Sequence, residues 1–130
     1  MADFEALNNK YMPVIDKIKQ FEPYGAKFVS SELDGEQLHL VAQVPSQVVA
    51  NRVWNEIKSV DPVYADLKHE IATTGGAEQP YTIKSGDTLS AVAKLFYGNG
   101  NKYPEIVKAN HLPDPNNVAV GKTISLPVLP

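Results

Sequence analysis

The residues that could do chemistry are few, and their spacing assembles no catalyst. His39, His69 and His111 lie far apart, at none of the intervals by which metal ligands recur along a chain. The absence of cysteine removes thiolate nucleophiles, zinc–thiolate centres and disulfides together. Asp66, Glu70 and Glu78 form no recognisable acid/base pair, and Ser85 lacks the strand–turn–helix setting of an activated nucleophile. The run "GNGN" at 98–101 has neither a strand before it nor a lysine-serine after it, so it reads as a loop rather than a phosphate cradle. The lysines of "KYMPVIDKIK" are offset by Asp16, Glu5 and Glu22 and read as a solvated helix face. The expectation is a protein that binds rather than catalyses, with no cofactor legible in its side chains.

Composition agrees with a folded domain protein. Of 130 residues, 43% are hydrophobic and 21% charged, ordinary for a chain that buries a core. A net charge of −3 argues against a nucleic-acid partner, which would call for a basic face. No apolar run approaches the length of a membrane span, and the start "MADFEALNNK" has no signal-like apolar stretch. The expected location is cytoplasmic, with association to the cell envelope as the alternative.

The elements that must position any binding residues fall into two units, 1–72 and 81–130, joined at 73–80. The stretch "ATTGGAEQP" has linker chemistry, loose at Gly75 and Gly76 and stiffened at Pro80. In the first unit Phe4, Leu7, Tyr11, Val14, Ile15 and Ile18 recur at helical spacing. Asp3 can cap that helix, and Pro13 kinks it or begins a second one. A strand "AKFVSSEL", a hairpin signal Asp34-Gly35 and an alternating strand "EQLHLVAQV" follow. Ser46 caps a helix striped by Val49, Val53, Trp54, Ile57 and Val60, and "YADLKHEI" returns as a strand through Leu67, His69 and Ile71. The class is α+β, with the order αββαβ in the first unit.

In the second unit Tyr81 and Ile83 share one strand face, and Asp87 or Thr88 caps a helix carrying Leu89, Val92, Ala93 and Phe96. Gly98 stands where a left-handed helix end belongs. Pro104 suits the first turn of another helix, with Ile106, Val107 and Ala109 inward, and a last strand runs through Thr123 and Leu126. The order is βααβ.

This second unit resembles the LysM domain over its full length. The carriers are Tyr81, the run Ser85-Gly86-Asp87-Thr88-Leu89, Ala93, Ala109-Asn110, and Val120-Gly121 before Ile124 and Pro127. The resemblance implies a shallow groove for N-acetylglucosamine-containing glycan, peptidoglycan or its fragments. It nominates Gly86, Asp87, Thr88 and Leu89 on one side, and Asn110, His111, Leu112 and Pro113 on the other. Loop backbone can supply the donor and acceptor an acetamido group needs, and Leu112 and Pro113 the apolar contact for its methyl. The same residues also have ordinary structural uses: Asp87 and Thr88 as caps, Gly86 as a turn glycine, Leu89 as core.

The first unit, in its element order, resembles the BON domain. The whole chain therefore resembles bacterial BON–LysM proteins, among them potassium-binding ones. That resemblance implies, as the alternative to glycan, a potassium ion in the first unit held by backbone carbonyls, which leave no side-chain signature.

Overall fold

The computed structural model describes residues 3–114 and 118–129. Helix α1 (Phe4–Lys10) starts at Asp3, whose side chain accepts from the Glu5 N–H, and α2 (Met12–Gln20) follows after a single residue, Tyr11. Pro13 sits in the first turn of α2, where its missing N–H has no helical partner to lose, so the proline begins a helix rather than kinking one. Tyr11, Val14, Ile15 and Ile18 are buried, but the expected stripe fades upstream: Leu7 is half-buried and Phe4 exposed.

Strands β1 (Lys27–Asp34) and β2 (Gln37–Val44) form an antiparallel hairpin, closed by Gly35 at φ +62°. On β2 the alternation decides the face: Leu38, Leu40, Ala42 and Val44 are all buried. Ser46 accepts from the Val49 N–H to cap α3 (Gln47–Val60), which buries Val48, Val49, Val53 and Ile57. Trp54 and Val60, the outer members of the stripe, are half-buried. Strand β3 (Leu67–Thr73) returns parallel to β2, giving a three-stranded sheet ordered β1-β2-β3. Leu67 is buried and Ile71 half-buried, whereas His69, on the same alternation, is exposed beyond the edge of the core.

Strand β4 (Gln79–Thr82) pairs antiparallel with β5 (Thr123–Leu126) in a second sheet, and α4 (Leu89–Tyr97) and α5 (Tyr103–Asn110) lie between them in sequence. Gly98 ends α4 at φ +75°, the left-handed cap. Ile106 is buried and Val107 half-buried, but Ala109, expected inward, is exposed. A methyl side chain there is compatible with either face, so periodicity misplaces it.

The stretch 73–80 has linker composition but not linker freedom. Thr74 N–H donates to Val44 O (2.9 Å), and the first-turn N–H groups of α3, Gln47 and Val48, donate to Gly76 O and Ala77 O (3.2 and 3.3 Å). Those helix-start donors have no partner within the helix, so the connector serves as their cap. A Cβ on Gly75 would lie 2.1 Å from Pro45 O, so this glycine is required by close approach of backbone. Regular structure enters the stretch from both ends, at Thr73 and at Gln79.

The hydrophobic core is continuous across the two halves. Phe21, just after α2, meets Phe96 of α4 at a centroid distance of 5.3 Å. Tyr24 meets Phe96 at 5.2 Å and Tyr81 at 5.8 Å, and Arg52 Nε donates to Leu95 O (3.1 Å). Aromatic residues of the first half thus form part of the wall of the second.

Candidate functional site

The loop from β4 into α4 is held at its base by two backbone hydrogen bonds to the far strand's approach. Ile83 N–H donates to Lys122 O (2.9 Å) and Gly121 N–H to Ile83 O (2.8 Å). Gly86 then takes φ +88°, and nothing lies within 4 Å of where its Cβ would be, so its backbone is open on that side. Thr88 is the cap of α4, accepting from the Ala91 N–H (3.1 Å). Asp87 instead braces the loop, its Oδ2 accepting from Tyr81 Oη (2.6 Å) and from the Lys84 N–H (2.8 Å). Burial, reinforced by that carboxylate, pushes the Tyr81 phenol far above its ordinary value, so it stays a donor. Leu89 is buried.

The second segment is spent on the fold to a similar degree. Asn110 Nδ2 donates to Ile106 O (2.9 Å) and Ser125 O (2.7 Å), and its Oδ1 accepts from the Ser125 N–H (2.8 Å). That uses the amide's two donors and one acceptor to clamp α5 onto β5. His111 takes the left-handed position after the helix, at φ +52°, and is exposed, as is Pro113. Leu112 is only 9% exposed and its N–H donates to Val107 O (3.2 Å). The expected apolar contact from Leu112 therefore needs correction: the side chain is packed inward, and Pro113 is left to provide that contact. The two segments share no hydrogen bond; one is tied to β4, the other to β5. What they leave for a ligand is the Gly86 backbone, the hydroxyl hydrogen of Thr88, whose oxygen is taken by the cap, and the exposed His111 and Pro113.

Sequence reasoning missed a charged cluster on the first half. Lys10, read as part of a solvated face, places Nζ 2.8 Å from Asp61 and 2.7 Å from Asp66, and Tyr11 Oη donates to Asp66. Burial pushes the Asp66 carboxyl up, but the hydrogen bonds from Lys10 and Tyr11 outweigh it and hold it below its ordinary value. Hydrogen bonds to Asp61 and Asp66 push the Lys10 ammonium well above its ordinary value. No local pattern announces a contact between residues 10 and 66.

Among the described residues, no three His, Cys, Asp or Glu side chains come together as a metal site, and no helix is long and apolar enough to cross a membrane. Gln79, 2% exposed, has a buried Oε1 without a hydrogen-bond donor, while its Nε2 donates to Pro80 O (3.0 Å).

These features define a class: an α+β chain with an ααββαβ half docked onto a LysM domain. The LysM family profile matches residues 81–127. Across both halves the chain is 34% identical, over 125 residues, to a protein of Escherichia coli O6:H1 called potassium binding protein Kbp, covering 95% of this chain and 77% of that one. The chain belongs to the Kbp family of BON–LysM proteins. It is also 22% identical over 115 residues to the N-acetylmuramoyl-L-alanine amidase XlyB of Bacillus subtilis, covering 87% of this chain but 31% of the amidase. An esterase of Mycobacterium tuberculosis is 46% identical over 44 residues, 34% of this chain and 10% of the esterase.

Proposed function

We propose that this protein is a non-catalytic bacterial binding protein that takes potassium in its first half. The observation that carries the reading is kinship through both halves with a protein named for potassium binding. The donor chemistry is compatible with it. Potassium is held by carbonyl oxygens, so a site for it needs no cluster of acidic side chains, and none is found among the described residues. The buried Oε1 of Gln79 lies on β4, outside the first half, so an ion in the first half is held by backbone carbonyls. A cytoplasmic location suits this ligand. The test is a titration of the full chain with potassium chloride against sodium chloride at constant ionic strength, followed by amide spectra. Saturable shifts confined to residues 3–72 and specific to potassium support the reading; identical responses to both salts overturn it.

A second reading is favoured by the LysM match itself: N-acetylglucosamine-containing glycan bound across the two C-terminal loops. In this reading the Gly86 backbone and Thr88 supply the polar contacts and His111 and Pro113 the opposite wall, while Asp87, Leu89, Asn110 and Leu112 hold the loops in place. A single shallow site of this kind binds weakly, with a dissociation constant on the order of 10⁻⁴ to 10⁻³ M. Chitooligosaccharide should shift the amides of Gly86–Leu89 and of Asn110–Leu112 together, and unmoved loops at millimolar sugar would remove the reading. A partner in peptidoglycan would place the protein at the cell envelope.

A further inference from the structure

A cleft of about 410 Å³ opens on the first half, between α3 and the edge strand β3. That volume lies in the range of small-molecule sites, about 300–1,000 Å³. From α3, Gln47, Asn51 and Trp54 line it at helical spacing; from β3, His69, Ile71 and Thr73 line it at strand alternation. β3 has β2 on one side and no described strand on the other, so the cleft follows the open edge of the sheet.

The chemistry of the lining is selective. No lysine, arginine or carboxylate is among its lining residues, and the nearest cation named at its edge, Lys58, lies over the Trp54 ring. Gln47 Nε2 donates to Asn51 Oδ1 (2.8 Å), a bond that orients both amides on the helix surface. Among the described residues no other hydrogen bond uses these side chains, which leaves Gln47 Oε1 as an acceptor and Asn51 Nδ2 as a donor on neighbouring turns of α3. An acetamido group carries the complementary pair, one N–H and one C=O. One turn further along α3 is Trp54, the sole tryptophan of the chain. Its indole is steadied by Tyr64 and His69, whose rings meet it edge-on at 5.0 and 4.9 Å, and by the Lys58 ammonium at 5.5 Å. A half-buried indole beside a neutral donor–acceptor pair suits a ligand with an apolar ring face and polar rim. Thr73 adds a hydroxyl for that rim.

We infer that the α3–β3 cleft is a binding site for an N-acetylated amino sugar, read by the Gln47–Asn51 amide pair with its ring against Trp54. The inference stands on α3 and β3 alone and depends neither on the ion nor on the LysM loops.

Titration of the full chain with N-acetylglucosamine tests it, with glucose and glucosamine as controls. Because Trp54 is the only tryptophan, its fluorescence and indole N–H report this cleft and no other. The expected result is a saturable change at about millimolar N-acetylglucosamine, with shifts of the Gln47 and Asn51 side-chain amides. Glucose and glucosamine, lacking the acetamido group, should bind at least about tenfold more weakly. Asn51→Leu and, separately, Gln47→Leu should each weaken binding about fivefold, the loss of one hydrogen bond, with an unchanged far-ultraviolet spectrum. Equal responses to all three sugars, a response confined to Gly86, Thr88 and His111, or full affinity in both leucine variants would overturn the inference.

Discussion

Replacing Phe21 with alanine should weaken both halves of the protein, because the ring belongs to both. Phe21 follows α2 in the first half and is fully buried, yet its close partner is Phe96 of α4, at 5.3 Å and tilted by 47°. Tyr24, 6.2 Å from Phe21, extends the cluster to Tyr81 on β4. Truncating a buried phenylalanine costs about 3–5 kcal/mol through lost transfer energy and the cavity left behind. Two tilted ring contacts are lost as well, each worth about 0.5–1.5 kcal/mol beyond burial, which favours the upper part of that range. At roughly 3–4 °C per kcal/mol for a chain of this size, the melting temperature should fall by about 12–20 °C. A native domain has about 5–15 kcal/mol to lose, so the variant should remain folded at low temperature.

The assay is calorimetry with native-state hydrogen exchange on the full chain. One transition, moved down as a whole, is expected, and the amides of α4 should lose protection together with those of α2. A double-mutant cycle with Phe96→Ala should show a coupling of about 1 kcal/mol or more, since the two rings share one contact. Two separate transitions, with the one belonging to residues 81–127 unmoved, would refute the shared core. Additive effects of the two alanine variants would do the same.

Further outcomes follow from local surroundings. Asn110→Ala removes the partners of the Ser125 N–H and of the Ser125 and Ile106 carbonyls, and should cost about 2–3 kcal/mol in urea unfolding. Gly75→Ala should cost about 1–3 kcal/mol, because its Cβ meets a backbone oxygen. Gly76→Ala, with open space around it, should be neutral or stabilise by up to about 1 kcal/mol; equal behaviour of the two variants in the same urea series would mean that the connector is loose. Trp54→Ala should cost about 1–2 kcal/mol, below the range for a fully buried aromatic, because the indole is half-buried. In acid, Asp61 and Asp66 have folded-state pKa values below their ordinary 3.8, so the unfolded chain takes up these protons first. Their contribution is complete well above pH 3.8 and is lost as pH falls through the lower folded values. Lys10→Met should flatten that acid limb of a stability–pH curve.

Signals confined to one stretch of chain were legible; contacts between stretches were not. Asp34-Gly35 specifies a hairpin, Ser46 a helix start and Gly98 a helix end through the backbone of a few neighbours, and each is found where local chemistry puts it. Periodicity likewise shows that Phe96 and Tyr81 turn inward, but not that Phe21 and Tyr24, far upstream in the other half, complete their packing. Gly75 and Gly76 are equivalent as composition. Only the folded position of Pro45 O makes one of them obligatory.

The candidate glycan site was hard to read for a related reason. The residues that make the LysM signature recognisable are largely those the fold consumes. Asp87 holds Tyr81 and the Lys84 N–H, Thr88 caps α4, Asn110 clamps α5 to β5, and Leu89 is core. A residue with its hydrogen bonds already made inside the protein has little left for a sugar, so such a motif reports a scaffold more directly than a ligand. Ligand choice must then rest on exposed positions whose identity the scaffold does not dictate, such as His111 and Pro113. On that argument His111→Ala should leave stability nearly unchanged while altering any glycan response of the loops, whereas Asn110→Ala should act first on stability, by loosening α5 from β5. A His111→Ala variant that binds chitooligosaccharide with unchanged affinity and unchanged shifts at Gly86–Leu89 would remove the second segment from the glycan site.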